Sequence, residues 1–133
     1  KKVNFSFEYS IGRMTIVPIN IDLIAWVIEN LTKNSVDAMS GEGNLKIIVS
    51  EGKSAQIYID VIDNGKGISK SEGKKVFKPG FTTKKRGWGL GLSLVKRIVE
   101  QYHFGKVFIK SSTIGEGTNI RISLNPDKIR TKL

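Results

Sequence analysis

From Val61 to Ile68 the chain reads Val-Ile-Asp-Asn-Gly-Lys-Gly-Ile, an apolar strand that ends in a carboxylate and then breaks into two glycines. Ile57, Ile59 and Val61 recur with the period of two that puts side chains on one face of a strand, and the next residue on that face is Asp63. A charge is therefore aimed where a core should be. An unpaired buried carboxylate is costly, so Asp63 requires a partner, either structural donors or a ligand that offers an N–H. Gly65 and Gly67 let backbone approach such a ligand without a side chain in the way.

With 133 residues and ordinary apolar and charged fractions, the chain is expected to form one domain, residues 1–133, with a substantial core. No apolar run approaches the roughly 20 residues needed to span a bilayer, and the start carries no signal-peptide pattern. The absence of cysteine excludes disulfides and thiolate metal sites. Because the chain starts at Lys1 and not at Met, it is expected to be cut from a longer protein, with any membrane anchor outside it. The formal net charge of +10 points to an anionic partner. No RNP-type aromatic signature or zinc-finger spacing accompanies the cations, so nucleic acid is disfavoured.

Hydrophobic periodicity predicts strands near Val3 to Tyr9 and Met14 to Val17, then a helix from Ile21 to Met39 capped by Asn20 or Asp22, with Ile24, Val27, Ile28 and Leu31 as its apolar stripe. Strands follow at Leu45 to Ser50 and Gln56 to Asp63. An irregular basic stretch runs from Ser69 to Trp88. A second helix spans Leu90 to Tyr102 with Leu94, Val95, Ile98, Val99 and Tyr102 inward, before strands at Lys106 to Ser111 and Thr118 to Leu124. Helices covering one face of a mixed sheet are the economical arrangement.

Several polar positions interrupt this pattern. Asn30 and Asn34, four residues apart, share one helix face. They either hydrogen-bond local backbone or offer carboxamide oxygens, which are hard ligands suited to magnesium. Glu29 points away from them and pairs favourably with Lys33. Gly87-Trp88-Gly89-Leu90-Gly91-Leu92 opens the second helix, where exposed N–H groups and the helix dipole favour phosphate; a flexible hinge is the other reading. Lys78, Lys84, Lys85 and Arg86 lie in the adjoining loop. Thr118 heads its apolar row as Asp63 heads its own, so the two can floor one polar pocket, or Thr118 can satisfy a turn. His103, at the end of the second helix, reads as structural.

The order of these signals resembles the ATP-binding catalytic domain of two-component sensor histidine kinases, within the larger family of DNA gyrase, the heat-shock chaperone ATPases and the mismatch-repair ATPases. Glu29 to Met39 is similar to the N box, with Asn34 at the magnesium position and Asn30 one turn earlier. Asp63, Gly65 and Gly67 resemble the G1 box, whose aspartate takes the adenine amino group. Val76 to Thr83, with Phe77, Thr82 and Thr83, is similar to the F box; Gly87, Gly89, Leu90, Gly91 and Leu92 match the G2 box, and Gly115 to Thr118 the G3 segment. Lys78 to Trp88 then corresponds to a short ATP lid, with Lys84 or Arg86 as the phosphate cation, since Asp37 stands where many of these kinases place Lys or Arg. In hydrolysing relatives a glutamate activates the attacking group four residues before the magnesium asparagine, and here that position is Asn30.

The resemblance implies an α+β, two-layer α/β sandwich of the Bergerat type, with helices on one face of a mixed, mostly antiparallel sheet. It implies ATP and Mg2+ as ligands, and a histidine phospho-acceptor and dimerisation domain of the same protein as partner. A response regulator would be engaged only indirectly, and the domain would be cytoplasmic in a parent that is soluble or anchored in the inner membrane. The rival functions are an ATP-hydrolysing conformational switch and a non-enzymatic nucleotide-sensing module.

Overall fold

The computed structural model describes residues 2–11, 16–80 and 91–132. Five strands, β1 (Val3–Ser10), β2 (Gly43–Glu51), β3 (Ile57–Asp63), β4 (Lys106–Thr113) and β5 (Gly117–Leu124), form one sheet in the order β1-β2-β3-β5-β4. Only β1 and β2 run parallel; the other three pairings are antiparallel. The helices are α1 (Ile21–Ala38), α2 (Lys70–Gly73), α3 (Gly91–Arg97) and α4 (Pro126–Lys132), and a π-helical turn, Ile98–Tyr102, continues α3. The expected α+β sandwich with a mixed, mostly antiparallel sheet is what the chain adopts.

Helix α1 starts where Asn20 accepts a hydrogen bond from the Leu23 N–H (3.0 Å) through its side chain, leaving Asp22 as a first-turn acid and not the cap. It ends where the Gly41 N–H, in the left-handed region at φ 77°, reaches back to the Val36 carbonyl at 3.0 Å. Ile24, Val27 and Leu31 are buried as the stripe requires, each contributing about 1.5–3 kcal/mol of transfer free energy. This helix lies over β2 and β3, so Phe5, Phe7 and Tyr9 on the edge strand β1 stay more than half exposed. The inward row of β3 (Ile57, Ile59, Val61, Asp63) faces that of β5 (Leu124, Ile122, Ile120, Thr118) residue for residue. On the opposite side of the sheet Arg121 holds Asp60 through two hydrogen bonds, 2.7 and 2.9 Å, and lies 4.1 Å from the centre of the Tyr58 ring. The hydrogen bond to Asp60 is the chief reason the guanidinium holds its proton even more tightly than usual.

Four expectations need correction. No strand forms at Ile16 and Val17, and Met14 lies outside the described residues. The basic stretch after Ser69 contains the short helix α2, which Ser69 caps by accepting from the Glu72 N–H at 3.2 Å. The residues after Leu124, for which no element is predicted, form α4: Pro126 suits a first helical position, Asn125 accepts from the Lys128 N–H at 3.1 Å, and Ile129 is buried. In the second helix Val95, Ile98 and Val99 are buried, but Leu94 lies at the rim and Tyr102 is 57% exposed. The π turn causes the last difference. Its i→i+5 winding rotates residue 102 off the inward face and brings His103, 2% exposed, onto it.

His103 has a structural role there, as expected. The Asn20 backbone N–H donates to its Nε2 (3.1 Å), which leaves Nδ1–H to donate to the Ile98 carbonyl (2.9 Å). One neutral ring thus ties the cap of α1 to the end of the π turn. His103→Ala removes both bonds and leaves the Asn20 N–H without its acceptor. The unfolding free energy should fall by about 1–3 kcal/mol, read from urea denaturation.

Candidate nucleotide site

Asp63 ends β3 directly opposite Thr118 at the head of β5, and both are buried, 9% and 6% exposed. One carboxylate oxygen, Oδ1, accepts the Gly65 N–H at 2.9 Å. The other, Oδ2, has no hydrogen-bond partner among the described residues. Of the two alternatives left open by the sequence, the structure shows the structural donor.

The loop after Asp63 is pinned on three sides. The Asn64 carboxamide accepts from the Asn44 N–H (2.8 Å), the Lys66 N–H donates to the Ala38 carbonyl at the end of α1 (2.9 Å), and the Lys66 carbonyl accepts from the Gly115 N–H (2.8 Å). Finally the Ile68 N–H donates to Ser112 Oγ (2.8 Å). The glycines are where backbone meets backbone: a Cβ on Gly65 would lie 2.6 Å from the Ala38 carbonyl carbon and oxygen, and one on Gly67 2.3 Å from the Thr113 carbonyl oxygen. Gly67 also sits at φ 77°. Across the floor, a Cβ on Gly117 would come 2.0 Å from the Asp63 carbonyl oxygen.

Asn30 and Asn34 fall on one face of α1, both partly buried. Asn30 Nδ2 donates to the Trp26 carbonyl one turn back (2.9 Å), and its Oδ1 faces Gly91 at the start of α3, 3.8 Å from where a Cβ would stand. Asn30 thus takes the backbone-bonding alternative with its nitrogen and keeps its oxygen toward α3. Glu29 is exposed and paired with Lys33 at 3.0 Å, as the i,i+4 spacing predicts. Phe77 and Leu92 are half-buried against the core. Thr82, Thr83, Lys84, Gly87, Gly89 and Leu90, with Arg86 and Trp88, lie outside the described residues. Asp63, Gly65, Gly67 and Thr118 meet at one end of the sheet, while Asn30 and Gly91 meet where α1 and α3 adjoin.

Sequence reasoning missed Ser112, Asn64 and the carbonyl of Ala38. Strict alternation after Val107 and Ile109 predicts Ser111 on the inward face; a bulge between Ile109 and Ser111 moves Ser112 there instead. Nothing in the composition of β4 signals that bulge.

Residues 19–128 match the family model described as histidine kinase-, DNA gyrase B-, and HSP90-like ATPase. The chain is 38% identical over 117 residues to the signal transduction histidine-protein kinase AtoS of Escherichia coli strain K12, covering 86% of this chain and 19% of that protein. It is 36% identical over 122 residues to sporulation kinase D of Bacillus subtilis strain 168, covering 92% of this chain and 24% of that protein. It therefore spans 19–24% of the length of these curated relatives. Among solved structures, the catalytic domain of histidine kinase ThkA superposes with a TM-score of 0.79 at 28% identity, covering 93% of this chain and 79% of that one.

The tight approach at Gly65 can be checked against a roomier glycine. Gly65→Ala should cost about 1–3 kcal/mol of stability, because neither neighbouring backbone can yield cheaply. Gly73→Ala, whose Cβ would meet only the end of the Ile109 side chain at 3.6 Å, should be neutral or stabilising by up to about 1 kcal/mol. Urea denaturation of the two variants side by side measures the difference.

Proposed function

Because the chain belongs to the histidine kinase-, DNA gyrase B-, and HSP90-like ATPase family, we propose that it is the single catalytic module of a sensor histidine kinase, binding Mg-ATP and donating the γ-phosphate to a histidine on a separate acceptor and dimerisation domain. The observation that carries this reading is Asn30. An amide cannot take a proton at neutral pH, and this one is already committed as a donor to the Trp26 carbonyl. The nearest carboxylate along the helix, Glu29, is exposed and held by Lys33. A site with this arrangement favours holding ATP for a nucleophile brought from elsewhere over activating water itself. The phosphorelay onward to a response regulator and any anchoring of the parent in a membrane belong to the same proposal. No helix among the described residues is long and apolar enough to cross a membrane.

The residues present fit both ligands. Asp63, 9% exposed, offers its second carboxylate oxygen, Oδ2, as an acceptor for the amino hydrogen of adenine, beside a loop whose glycines let backbone pack on backbone. Among the described residues no cluster of three or more His, Cys, Asp or Glu could form a protein cage for a metal. Magnesium takes few protein ligands and keeps waters and phosphate oxygens, and the Asn34 carboxamide is the candidate ligand. When bound, magnesium would neutralise charge on the phosphates. The chain's own part is positioning: Asp63 and Thr118 orient the base, the Asn30 oxygen faces Gly91 at the start of α3, and Asn34 shares the helix face of Asn30. Phe77 braces the segment that leads into the lid, and Lys84 with Thr82 and Thr83 completes the proposed phosphate contacts. Transfer then proceeds by proximity and charge compensation, without a base from this chain.

Asp63→Ala should weaken ATP about 10- to 100-fold in isothermal titration, the loss expected for a hydrogen bond to a charged group, and should erode preference for ATP over GTP. Unchanged ATP affinity in a folded variant removes the adenine assignment. Asn34→Ala should retain adenosine binding yet lose magnesium-dependent phosphorylation of the acceptor domain in the full-length parent; transfer near the wild-type rate would place the metal on other ligands.

A further inference from the structure

Strand β1 ends the sheet on one side, and no strand among the described residues pairs with its outer edge. It runs parallel to β2 for its whole length in unbroken register. The Gly43 N–H donates to the Lys2 carbonyl at 3.2 Å, so Lys2 turns its backbone toward β2. Backbone groups alternate between the two sides of a strand, so those of Asn4, Ser6 and Glu8 also face β2, while the N–H and C=O groups of Val3, Phe5, Phe7 and Tyr9 line the open edge. The side chains of Phe5, Phe7 and Tyr9 stand on the helix side of the sheet, level with Leu45, Ile47 and Val49. Helix α1 lies over β2 and β3 and leaves these three rings 57–60% exposed. Because Asn30 turns toward α3, the flank of α1 on the β1 side is the one at Ile21, Ala25, Ile28, Thr32 and Val36, which carries no charge. The edge therefore adjoins a trough with an aromatic floor and an uncharged helical wall. Sheets ordinarily protect a free edge with proline, lysine, a bulge or an inward charge. Val3–Ser10 has none of these, and its one acid, Glu8, lies on the other face, paired with Lys46 at 2.9 Å.

We infer that β1 is a self-association edge whose partner is β1 of a second copy of this chain, paired antiparallel about a twofold axis. The same patch serves both copies, so the contact closes at two. One register uses every free group. With Ser6 opposite Ser6 of the second copy, Phe5 stands opposite Phe7 and Val3 opposite Tyr9 as hydrogen-bonded pairs, and Glu8 meets Asn4. Moving the axis to Phe5 or Phe7 carries Tyr9 or Val3 past the end of the partner strand, and a one-residue slip sets aromatic rings against the opposite face. Six rings then fill the space between the two α1 helices. A Phe or Tyr brings roughly 150–250 Å², so the exposed part of three comes to about 260–440 Å² per copy. The strand edge and its polar side chains add to this, against roughly 600 Å² per partner in the smallest stable interfaces. The expected dimer is accordingly weak, with Kd about 1–100 μM.

Sedimentation velocity of the chain from about 1 to 200 μM should show a reversible shift from monomer to dimer over that range. The chain has no cysteine, so one introduced thiol reports the register. Facing Cα atoms in a non-hydrogen-bonded antiparallel pair lie about 4.5 Å apart, within the roughly 4.4–6.8 Å that a disulfide spans. Under mild oxidation Ser6→Cys should form a disulfide-linked dimer at least about 10-fold faster than Ser10→Cys, whose two copies lie roughly 26 Å apart in this register. Phe7→Lys sets two like charges into the ring cluster and should raise Kd at least about 10-fold, with the urea midpoint reporting that the chain still folds. Should that variant fail to fold, the comparison of Ser6→Cys with Ser10→Cys decides alone. A monomer throughout the range leaves the trough to a helix of another protein and overturns the inference. Equal cross-linking at Ser6 and Ser10, or a dimer indifferent to Phe7→Lys, overturns it as well by placing the contact on another surface.

Discussion

Close approach of backbone to backbone at one end of the sheet is the constraint on which the remaining architecture depends. Gly65 lies against the last carbonyl of α1, Gly67 against the end of β4, and Gly117 against Asp63 itself. Three elements distant in sequence are thereby drawn together around a six-residue loop, and each contact excludes even a methyl group. The carbonyl and amide groups exposed by such an approach must be satisfied, and they are, through Lys66 to Ala38, Gly115 to Lys66 and Ile68 to Ser112. The result is a sheet end built of peptide bonds, stiff because its hydrogen bonds cross between elements and do not run along one.

That stiffness explains how the chain tolerates a buried carboxylate. Asp63 has one oxygen held by the loop it precedes, and that loop is itself pinned to its neighbours, so the carboxylate stands among fixed groups. A contrasting solution stands on the other side of the sheet. There Asp60, more deeply buried at 4% exposure, is engaged through both carboxylate oxygens by the Arg121 fork. Two aspartates three residues apart on one strand thus differ in their partners: one is closed by an ion pair and the other is held by a single bond from its own loop.

Much of this was legible in the sequence, for identifiable reasons. The period-two rows that reach Asp63 at the end of β3 and start from Thr118 at the head of β5 marked the strand faces, because antiparallel pairing of two alternating rows brings the end of one opposite the start of the other. The stripe on α1 and the Asn20 cap were equally direct. What escaped was whatever depends on a departure from regular winding. The bulge that swaps Ser111 for Ser112 and the π turn that swaps Tyr102 for His103 each insert one residue, and a periodicity argument has no term for an insertion. Helix α4 was missed because seven residues rich in cations read as a solvated tail unless the burial of Ile129 is known.

The π turn carries a consequence for chain length. A helix that must begin at Gly91 beside Asn30 and finish with His103 against Asn20 has two fixed ends, and regular α winding from Ile98 would bring residue 102 to the inward face, one position too early. The wide turn absorbs the surplus residue. Loss of a single residue between Val99 and Gln101 would let this segment rewind as plain α-helix with the imidazole still delivered to the same place. The segment therefore contains a spare unit of length inside a regular element, where most helices admit neither insertion nor deletion, and the lineage of this chain could shorten there without disturbing either end.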